Sequence, residues 1–589
     1  MTDIRRTLLW GIFLASLFFL WESWNRHNGQ PSLFGPPPRV AMASPASPAS
    51  PGTAPSNSLP ATATATAATA TAAAPASAVA AAPTATGERV TVTTDLVRAT
   101  FDTKGADVVG LVLLDQQEHA EEPWYASFLK LFGAAGPAPQ THNVTLFDPS
   151  PDHFYVAQTG LWPAATGPGA LPEHHTVMNL VSSERVLKDG ANELQLRFES
   201  PELAGVKLVK TYTFHRGSFA IDVRHEIVNA SGASISPYLY LQFLRGGYSA
   251  PGGSGFYSTF TGPAIYTDTK HYEKIDFKAI DKREDANKIL REPAPSGWVA
   301  MVQHYFMSAW LLDKAAAPAS PWEFFTGKVD ANTYSVGMLV PVGQIAAGTS
   351  RAVDAKLFAG PQEEDKLSAM APGLELVKDY GYFKILAEPL FWLLTQLHKI
   401  LGNWGWSIVG LVVILKIAFF WLNAKAYGSM AKMKAINPRI MEMRERLKDK
   451  PQQMQQEMMR IYREEKVNPL GGCLPIVVQM PFFIALYWVL LSTVEMRNAP
   501  WIGWITDLSA KDPYFILPLL MTCTSLLQTW LNPTPPDPVQ ARMMWIMPLV
   551  FSVMFFFFPA GLVLYWLTNN ILSIAQQYLI NKRLGVLGK

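Results

Sequence analysis

Cysteine and charge are both scarce in this 589-residue sequence. The two cysteines, Cys473 and Cys523, lie in apolar segments, so we expect neither a disulfide nor a cysteine metal site in the polar part of the chain. Charged residues make up 16% of the chain and the formal net charge is +2, which does not predict specific nucleic-acid readout. No phosphate-loop motif occurs, and we expect neither cofactor nor metal. Apolar residues, at 49%, dominate instead.

The first long apolar run lies at the N-terminus. It is short enough for a cleaved signal peptide, but no small-residue cleavage site follows it. Trp21 and Trp24 instead resemble the aromatic belt of a retained membrane helix, so we predict a transmembrane anchor over 1–24. Residues 25–87 are mainly Pro, Ala, Ser and Thr, and this composition predicts a disordered tether because it cannot bury enough apolar surface to offset chain entropy.

Residues 88–372 have the texture of strands. Polar and apolar residues alternate, for example over 206–229, which predicts antiparallel hairpins and a large β-sandwich. The glycine-rich stretch 245–258 lacks the Lys-Ser/Thr ending of a phosphate loop and is interpreted as a surface loop. Four histidines of this segment are candidate ligands: His174, His175, His215 and His225. No metal-ligand spacing organises them, so core or solvated roles are favoured and the domain is interpreted as a binding module.

The last two hundred or so residues contain five further apolar runs. With the anchor they predict six spans, and an even number places both termini on one side. The loop 425–466 carries eleven Lys or Arg against six acids, whereas 492–512 carries only two basic residues. The positive-inside rule therefore places the basic loop and the termini in the cytoplasm, and the β-domain outside it. The five runs are Trp406–Leu422, Leu470–Leu491, Tyr514–Leu531, Met543–Phe558 and Ala560–Ile580.

Two amphipathic segments flank the second span. A leucine stripe over 390–401 is typical of a helix lying in the membrane interface, although a surface helix packed on the soluble domain would look the same. The basic loop predicts a cytoplasmic helical hairpin, 424–447 and 452–465, with a local distortion possible at Pro438. Its methionines either grip apolar substrate segments or pack the two helices together. They include Met430, Met433, Met454 and Met458.

Lys416 is the only charge within the second apolar run. A cation near the centre of a membrane helix costs roughly 2.5 to 3.5 kcal/mol on insertion scales, which indicates a functional site. Snorkelling toward the cytoplasmic edge is the alternative. Polar residues in the other runs predict a wet interior, although those of the fourth span are equally compatible with interhelical hydrogen bonds. The proposed groove residues among them are Gln479, Thr524, Gln528, Asn569 and Ser573.

Four stretches, 427–449, 464–490, 508–521 and 558–566, closely resemble the YidC family of membrane protein insertases of Gram-negative bacteria. The resemblance implies a multi-span α-helical membrane protein with six transmembrane helices, a five-helix core around a hydrophilic groove open to cytoplasm and lipid, and a periplasmic β-supersandwich similar to inactive sugar mutarotases.

Lys416 matches the positive groove residue of that family, where arginine is commoner. Tyr565 and Trp566 match an aromatic pair that contacts substrate helices, with tryptophan where tyrosine is common; packing against neighbouring spans is the alternative.

The predicted function is that of an inner-membrane insertase and chaperone, not an enzyme. Expected partners are nascent membrane proteins, the lipid bilayer, the Sec translocon, and the ribosome or the signal-recognition-particle receptor. The rival interpretations are a secondary transporter, which would show an internal repeat of broken helices, and an anchored periplasmic enzyme, which would need only one span.

The predicted division is anchor (1–24), tether (25–87), β-domain (88–372), interfacial helix region (373–402), second span (403–423), hairpin (424–467), spans three to six (468–580) and tail (581–589).

Overall fold

The computed structural model describes residues 87–119, 141–164, 170–248, 259–283, 290–313, 321–447, 450–465, 474–532 and 538–583. The predicted anchor, nearly all of the tether, most of the glycine-rich loop after residue 248 and the end of the tail lie outside these ranges. The chain divides into two units, called here the β unit and the helical unit. The β unit takes residues up to 116, 143–361 and 371–377, and the helical unit takes 117–142, 362–370 and 378–589.

Strands account for nearly all regular structure in the described part of the β unit. They are β1 (Arg89–Thr93), β2 (Val97–Asp102), β3 (Asp107–His119), β4 (Thr141–Phe147), β5 (Tyr155–Trp162), β6 (Asn179–Leu180), β7 (Glu193–Glu199), β8 (Val206–His215), β9 (Ala220–Asn229), β10 (Tyr238–Gly246), β11 (Gly262–Thr267), β12 (His271–Lys274), β13 (Leu290–Ala294), β14 (Gly297–Val302), β15 (Phe306–Leu312), β16 (Trp322–Asp330), β17 (Thr333–Pro341) and β18 (Ser350–Pro361). One short helix, α1 (Phe277–Asp281), interrupts them.

The strands form two antiparallel nine-stranded sheets. One has the order β1-β2-β3-β5-β10-β17-β16-β13, with β4 paired to β3, and the other has the order β12-β11-β14-β15-β18-β9-β8-β7-β6. The β8–β9 hairpin that the alternation predicts over 206–229 is present, with Val206 opposite Asn229. Buried and exposed residues alternate along β7, so one face of this sheet is apolar and the other polar.

Aromatic side chains join the two sheets face to face. Phe101 of β2 contacts Phe198 of β7 and Tyr212 of β8, with ring centroids 5.6 and 4.8 Å apart. Phe243 of β10 stacks on Trp310 of β15 at 6.0 Å. Each fully buried side chain of this kind contributes roughly 1.5–3 kcal/mol through removal of apolar surface from water. The β-sandwich predicted from the strand pattern is therefore present.

The histidines take the core and surface roles that the sequence favours. His225 and His174 are buried and hydrogen-bond to Thr159 Oγ1 (3.0 Å) and the Tyr240 hydroxyl (2.6 Å). Burial lowers the pKa of each to about 3, so both are neutral in the fold. His215 pairs with a surface aspartate. Within the described residues, no group of three or more His, Cys, Asp or Glu is arranged to hold a metal ion.

Helices build the helical unit. They are α2 (Glu364–Met370), α3 (Lys384–Leu401), α4 (Trp404–Ala418), α5 (Phe420–Arg446), α6 (Pro451–Glu464), α7 (Leu474–Ser492), α8 (Ile516–Leu531), α9 (Pro538–Phe555) and α10 (Ala560–Arg583). Local sequence sets the corner between α3 and α4. Gly402, in the left-handed region at φ 66°, ends α3, and the Asn403 side chain accepts a hydrogen bond from the Trp406 amide to cap α4.

The second apolar run is broken where a continuous span is predicted over Trp406–Leu422. Helix α4 ends at Ala418, and α5 starts at Phe420 at an angle of 69°. Gln576 of α10 donates to the carbonyl oxygen of Phe420 (3.4 Å), so a side chain from another helix hydrogen-bonds the backbone at the break. The apolar run contains no proline, and its charged residue, Lys416, lies within α4 before the break. Further along, α5 continues through Pro438 without ending.

No single helix among the described residues combines the length and the apolar composition expected of a membrane crossing. Helix α4 and the first part of α5 meet both criteria only when taken together across their bend. The six spans of the sequence analysis therefore remain a prediction. Helix α10 occupies the middle of the helical unit, since it packs against α4, α5, α7 and α8.

Candidate functional site

A cavity of about 480 Å³ lies among helices α4, α5, α7, α8, α9 and α10. Seven of the eight predicted groove residues line it: Lys416, Gln479, Gln528, Tyr565, Trp566, Asn569 and Ser573. The eighth, Thr524, is not among its lining residues and donates its hydroxyl to the Met521 carbonyl of its own helix (2.9 Å). The cavity therefore gathers polar side chains that the sequence distributes over four separate apolar runs.

The ammonium group of Lys416 contacts α10. Its Nζ donates to Ser573 Oγ at 2.7 Å, and that hydroxyl donates in turn to the carbonyl oxygen of Asn569 at 2.7 Å. No carboxylate in the described part of the chain forms an ion pair with Lys416. The side chain is half-buried and lines the cavity, so in this conformation it is directed at α10. The positive charge of Lys416 is therefore balanced by no negative group among the described residues and is stabilised by a single hydroxyl.

Polar residues of the fourth predicted span have mixed roles. Ser525 and Asn532 accept hydrogen bonds from Asn570 and Gln577 of α10, both at 3.0 Å. The Ser525 contact is an interhelical bond of the kind that the sequence left as the alternative for this span, and Asn532 lies just beyond the span. Gln528, one turn along from Thr524, instead lines the cavity. Helix α8 is thus tied to α10 both before and after Gln528, and still contributes a polar side chain to the site.

The aromatic pair both lines the cavity and packs against other helices. The Trp566 ring lies 4.2 Å from the ring of Phe483 on α7 and 4.5 Å from that of Phe555 on α9, measured between centroids. Tyr565 is buried and contacts Phe483 at 5.9 Å. The structure therefore shows the interhelical packing that the sequence left as the alternative, and contact with substrate helices stays a prediction.

The hairpin methionines separate into groups. Met430 lines the cavity, and Met433 is half-buried on α5 without lining it. Met454 and Met458 of α6 pack against the hairpin core, which consists of Ile440, Met443, Ile461 and Tyr462. For these two residues the structure shows the packing role that the sequence left open.

Sequence reasoning missed three polar residues of the cavity: Asn423, Tyr427 and Asn532. Asn423 is 3% exposed, and its side-chain nitrogen has no hydrogen-bond partner among the described residues. Its spacing of seven residues from Lys416 is two helical turns, a signal that places both on one face of a continuous helix. Asn532 follows the last apolar residue of its run, so hydropathy assigns it to a loop.

The outward faces of the helical unit are apolar. Ile417, Trp421 and Val553 are 70%, 68% and 63% exposed. Large exposed apolar surfaces are rare on soluble monomers and mark contact with a partner or with lipid. The cavity thus brings polar side chains among apolar ones inside this unit, while large apolar side chains are exposed on its outside.

Comparisons with known proteins cover both units. A family model of a 60Kd inner membrane protein matches residues 396–585, and one of the YidC periplasmic domain matches residues 89–393. A membrane protein insertase YidC of Ralstonia nicotianae is 51% identical over 583 residues, which are 99% of this chain and 98% of the relative. The corresponding protein of Cupriavidus taiwanensis is 52% identical over 584 residues, with the same coverage. A crystal structure of an active YidC insertase covers 83% of this chain and 92% of its own, at 17% identity and a TM-score of 0.36.

The sequence relatives, at half identity over nearly the whole chain, carry the assignment. The protein is an inner membrane protein with a periplasmic domain, and it acts on membrane proteins in the lipid bilayer. Its activity is insertion and not an enzymatic reaction, as the sequence predicts, so the transporter and anchored-enzyme interpretations are set aside. The chain belongs to the YidC family of membrane protein insertases.

Proposed function

We propose that the cavity among α4 to α10 is a hydrophilic groove, open to cytoplasm and lipid, that receives polar segments of substrate membrane proteins. Lys416 attracts the carboxylates of such a segment, and the attached apolar segment passes Tyr565 and Trp566 into the inner membrane. The observation that carries this proposal is a lysine that lines the cavity together with several amide side chains, with a hydroxyl and no carboxylate beside it. A cation without an ion-pair partner in such a site favours the binding of an anionic group.

Coulombic attraction is large enough to matter. A carboxylate 4 Å from the ammonium gains ~4 kcal/mol at an effective dielectric of 20, before desolvation is counted. That gain offsets part of the cost of moving a charge into the bilayer. Since the sequence contains no phosphate-loop motif, the work comes from partitioning of the apolar segment into lipid. The membrane potential adds about 2.3 kcal/mol per charge per 100 mV for an acidic tail that crosses it.

The proposed arrangement in the membrane follows the positive-inside rule. Six spans place both termini and the hairpin 424–467 in the cytoplasm, and the β unit in the periplasm. Substrate contact by Met430 and Met433 belongs to this proposal, because both lie on α5, the helix that joins cavity and hairpin. The α6 methionines support the hairpin fold.

Further partners are proposed for the cytoplasmic and membrane surfaces. We expect the chain to act alone on small substrates and with the Sec translocon on larger ones. The loop 425–466 carries eleven Lys or Arg against six acids, and this excess of positive charge suits contact with the ribosome or with the signal-recognition-particle receptor. Cosedimentation with ribosomes, using an intact and a charge-reversed hairpin, tests the first of these contacts.

The experiment for the groove uses proteoliposomes with wild type, Lys416→Ala and Lys416→Arg. A small single-span substrate is supplied with an acidic tail and, separately, with a neutral tail. We expect the alanine variant to insert the acidic substrate at least about ten times more slowly than the wild type. The lost Coulombic attraction exceeds roughly 1.4 kcal/mol, the free energy that corresponds to a factor of ten in rate. Arginine restores insertion because it keeps the charge.

Lys425→Ala provides the matched control. This lysine lies nine residues further along, stacks on the Trp421 ring (3.8 Å) and does not line the cavity. Its removal is expected to leave both substrates unaffected. Equal insertion of the acidic substrate by wild type and Lys416→Ala would refute the charge-attraction mechanism.

A further inference from the structure

Lys416 is a flexible side chain close to the end of its helix. Only one residue separates it from Ala418, where α4 ends and the chain turns by 69°. A lysine ammonium on a four-carbon stem moves toward water whenever nothing holds it, which is how membrane lysines snorkel. A groove lysine that is to meet a substrate carboxylate therefore needs a restraint that does not neutralise it.

Ser573 has the chemistry of such a restraint. Ser573 is 3% exposed, and its hydroxyl donates to the Asn569 carbonyl one turn earlier on α10, which leaves an oxygen lone pair for the ammonium of Lys416. A neutral hydroxyl fixes the position of the ammonium but leaves its charge intact. A carboxylate in the same place would fix it more strongly and also cancel the attraction.

The same face of α10 also hydrogen-bonds the backbone at the start of α5, just after the break between α4 and α5. Gln576 lies three residues after Ser573, hence on the same side of the helix, and bonds the Phe420 carbonyl (3.4 Å). One stripe of α10 thus contacts the chain on both sides of Phe419. The bend in the backbone and the direction of the lysine are set by neighbouring turns of one helix.

We propose that Ser573 is a positioning residue: it holds the Lys416 ammonium in the groove with its charge uncompensated and with two of its three donors left for a substrate carboxylate. This inference rests on the proposed function of Lys416. It predicts that the hydroxyl matters only for substrates that carry negative charge, and only while the lysine is present.

The test compares Ser573→Ala with Ser573→Thr in proteoliposomes. Alanine removes the acceptor, and we expect insertion of the acidic-tail substrate to fall about tenfold, as for one charge-assisted hydrogen bond, while the neutral-tail substrate is inserted at the wild-type rate. Threonine keeps the hydroxyl and restores insertion. In a Lys416→Ala background the serine substitution adds no further loss. A loss that is equal for both tails, or no loss with either, overturns the proposal.

A second measurement follows the lysine itself. In full-length protein in liposomes, a water-soluble amine reagent modifies Lys416 at a rate read by mass spectrometry, with Lys425 as internal reference. We expect the ratio of Lys416 to Lys425 modification to rise severalfold in Ser573→Ala and to return in Ser573→Thr. An unchanged ratio overturns the proposal even if insertion falls.

Ser552→Ala is the matched control. Ser552 is also a buried serine that donates to the carbonyl four residues earlier on its own helix, and it does not line the cavity. Its removal is expected to change neither insertion nor labelling. The two proposals fail separately. If Lys416→Ala inserts the acidic substrate normally, the charge mechanism fails; if Lys416→Ala is impaired and Ser573→Ala is not, only the role of Ser573 fails.

Discussion

Three buried or half-buried lysines illustrate how a single residue acquires its role from its surroundings. Lys210 of the β unit donates to the carbonyl oxygens of Gly105 and Thr159 and lies 3.9 Å from Asp107. Lys378 of the helical unit lies near two carboxylates. Lys416 has one hydroxyl. The charge of the lysine is balanced by nearby acceptors where the lysine supports the fold. It is poorly balanced at Lys416, where we propose that the lysine binds a substrate carboxylate.

Lys210→Met tests the structural case. The variant leaves two carbonyls and a carboxylate buried without their cation, and we expect the β unit to lose about 3 to 5 kcal/mol of stability. Hydrogen exchange of the β5 and β8 amides in the full-length protein measures it. Lys207→Met, which breaks the partly exposed pair with Glu199, is expected to cost no more than about 1 kcal/mol. Equal effects of the two substitutions would contradict this view.

At the scale of elements, helix α3 has an apolar exposed surface, and its first half is held in place by contacts with other elements. Ile385 and Ile400 are 87% and 80% exposed, as an interfacial helix requires. Its Phe391 ring lies 3.7 Å from the Lys378 ammonium, which approaches Glu364 of α2 at 3.9 Å and Glu495, just after α7, at 3.5 Å. The buried cation thus ties three elements of the helical unit together.

Lys378→Met is expected to loosen α3, because two carboxylates then share a buried site without a cation. The measurement is hydrogen exchange of the peptides over 384–401, with an increase of about tenfold or more expected. Lys384→Met is the control, since its pair with Glu388 is exposed and contributes little. If the α3 peptides of Lys378→Met exchange as slowly as those of the control, the cation does not anchor the helix.

At the scale of the whole molecule, the two units handle polarity in different ways. The β unit buries a polar cluster inside its sandwich, where burial holds the pKa of His174 and His225 near 3, raises that of Asp107 to about 7 and lowers that of Lys210 to about 8. The helical unit places polar groups among the apolar ones that line its cavity, and it exposes further large apolar side chains. The first arrangement suits water and the second suits lipid.

The buried cluster predicts acid sensitivity of the β unit. Unfolding returns both histidines to a pKa near 6.5, so between about pH 6.5 and 4 the unfolded chain binds two protons that the folded chain does not. Asp107 acts in the opposite direction, because its folded carboxyl takes up a proton below about pH 7 and the unfolded one only near 4. The net difference of one proton predicts a loss of about 1.4 kcal/mol per pH unit as the pH falls.

Urea unfolding at several pH values, followed by exchange of β5 and β9 amides, measures this slope. His225→Gln keeps a polar group near Thr159 but removes one titration, and is expected to flatten the slope. A slope of zero in the wild-type protein would show that the buried histidines do not govern acid stability.

Much of the site was predictable because charge and amides are conspicuous in apolar runs. Lys416, Gln479 and Gln528 stand out for this reason, and all three line the cavity. Thr524 was predicted on the same ground and instead bonds its own helix, since a hydroxyl can always return to the backbone that carries it. Asn532 was missed because it follows its run, although the start of a loop still reaches the cavity.

The sequence by itself determined the strand texture of the β unit, the helical hairpin, the polar residues available to a groove and the family, because periodicity and composition are local properties that survive without a fold. Only the tertiary structure decided the break after Ala418, the pairing of Lys416 with Ser573, and the burial of Lys210 between two sheets. Each of these depends on a partner that is distant in the chain, 157 residues away for Lys416. Hydropathy carries no information about which side chain will lie opposite.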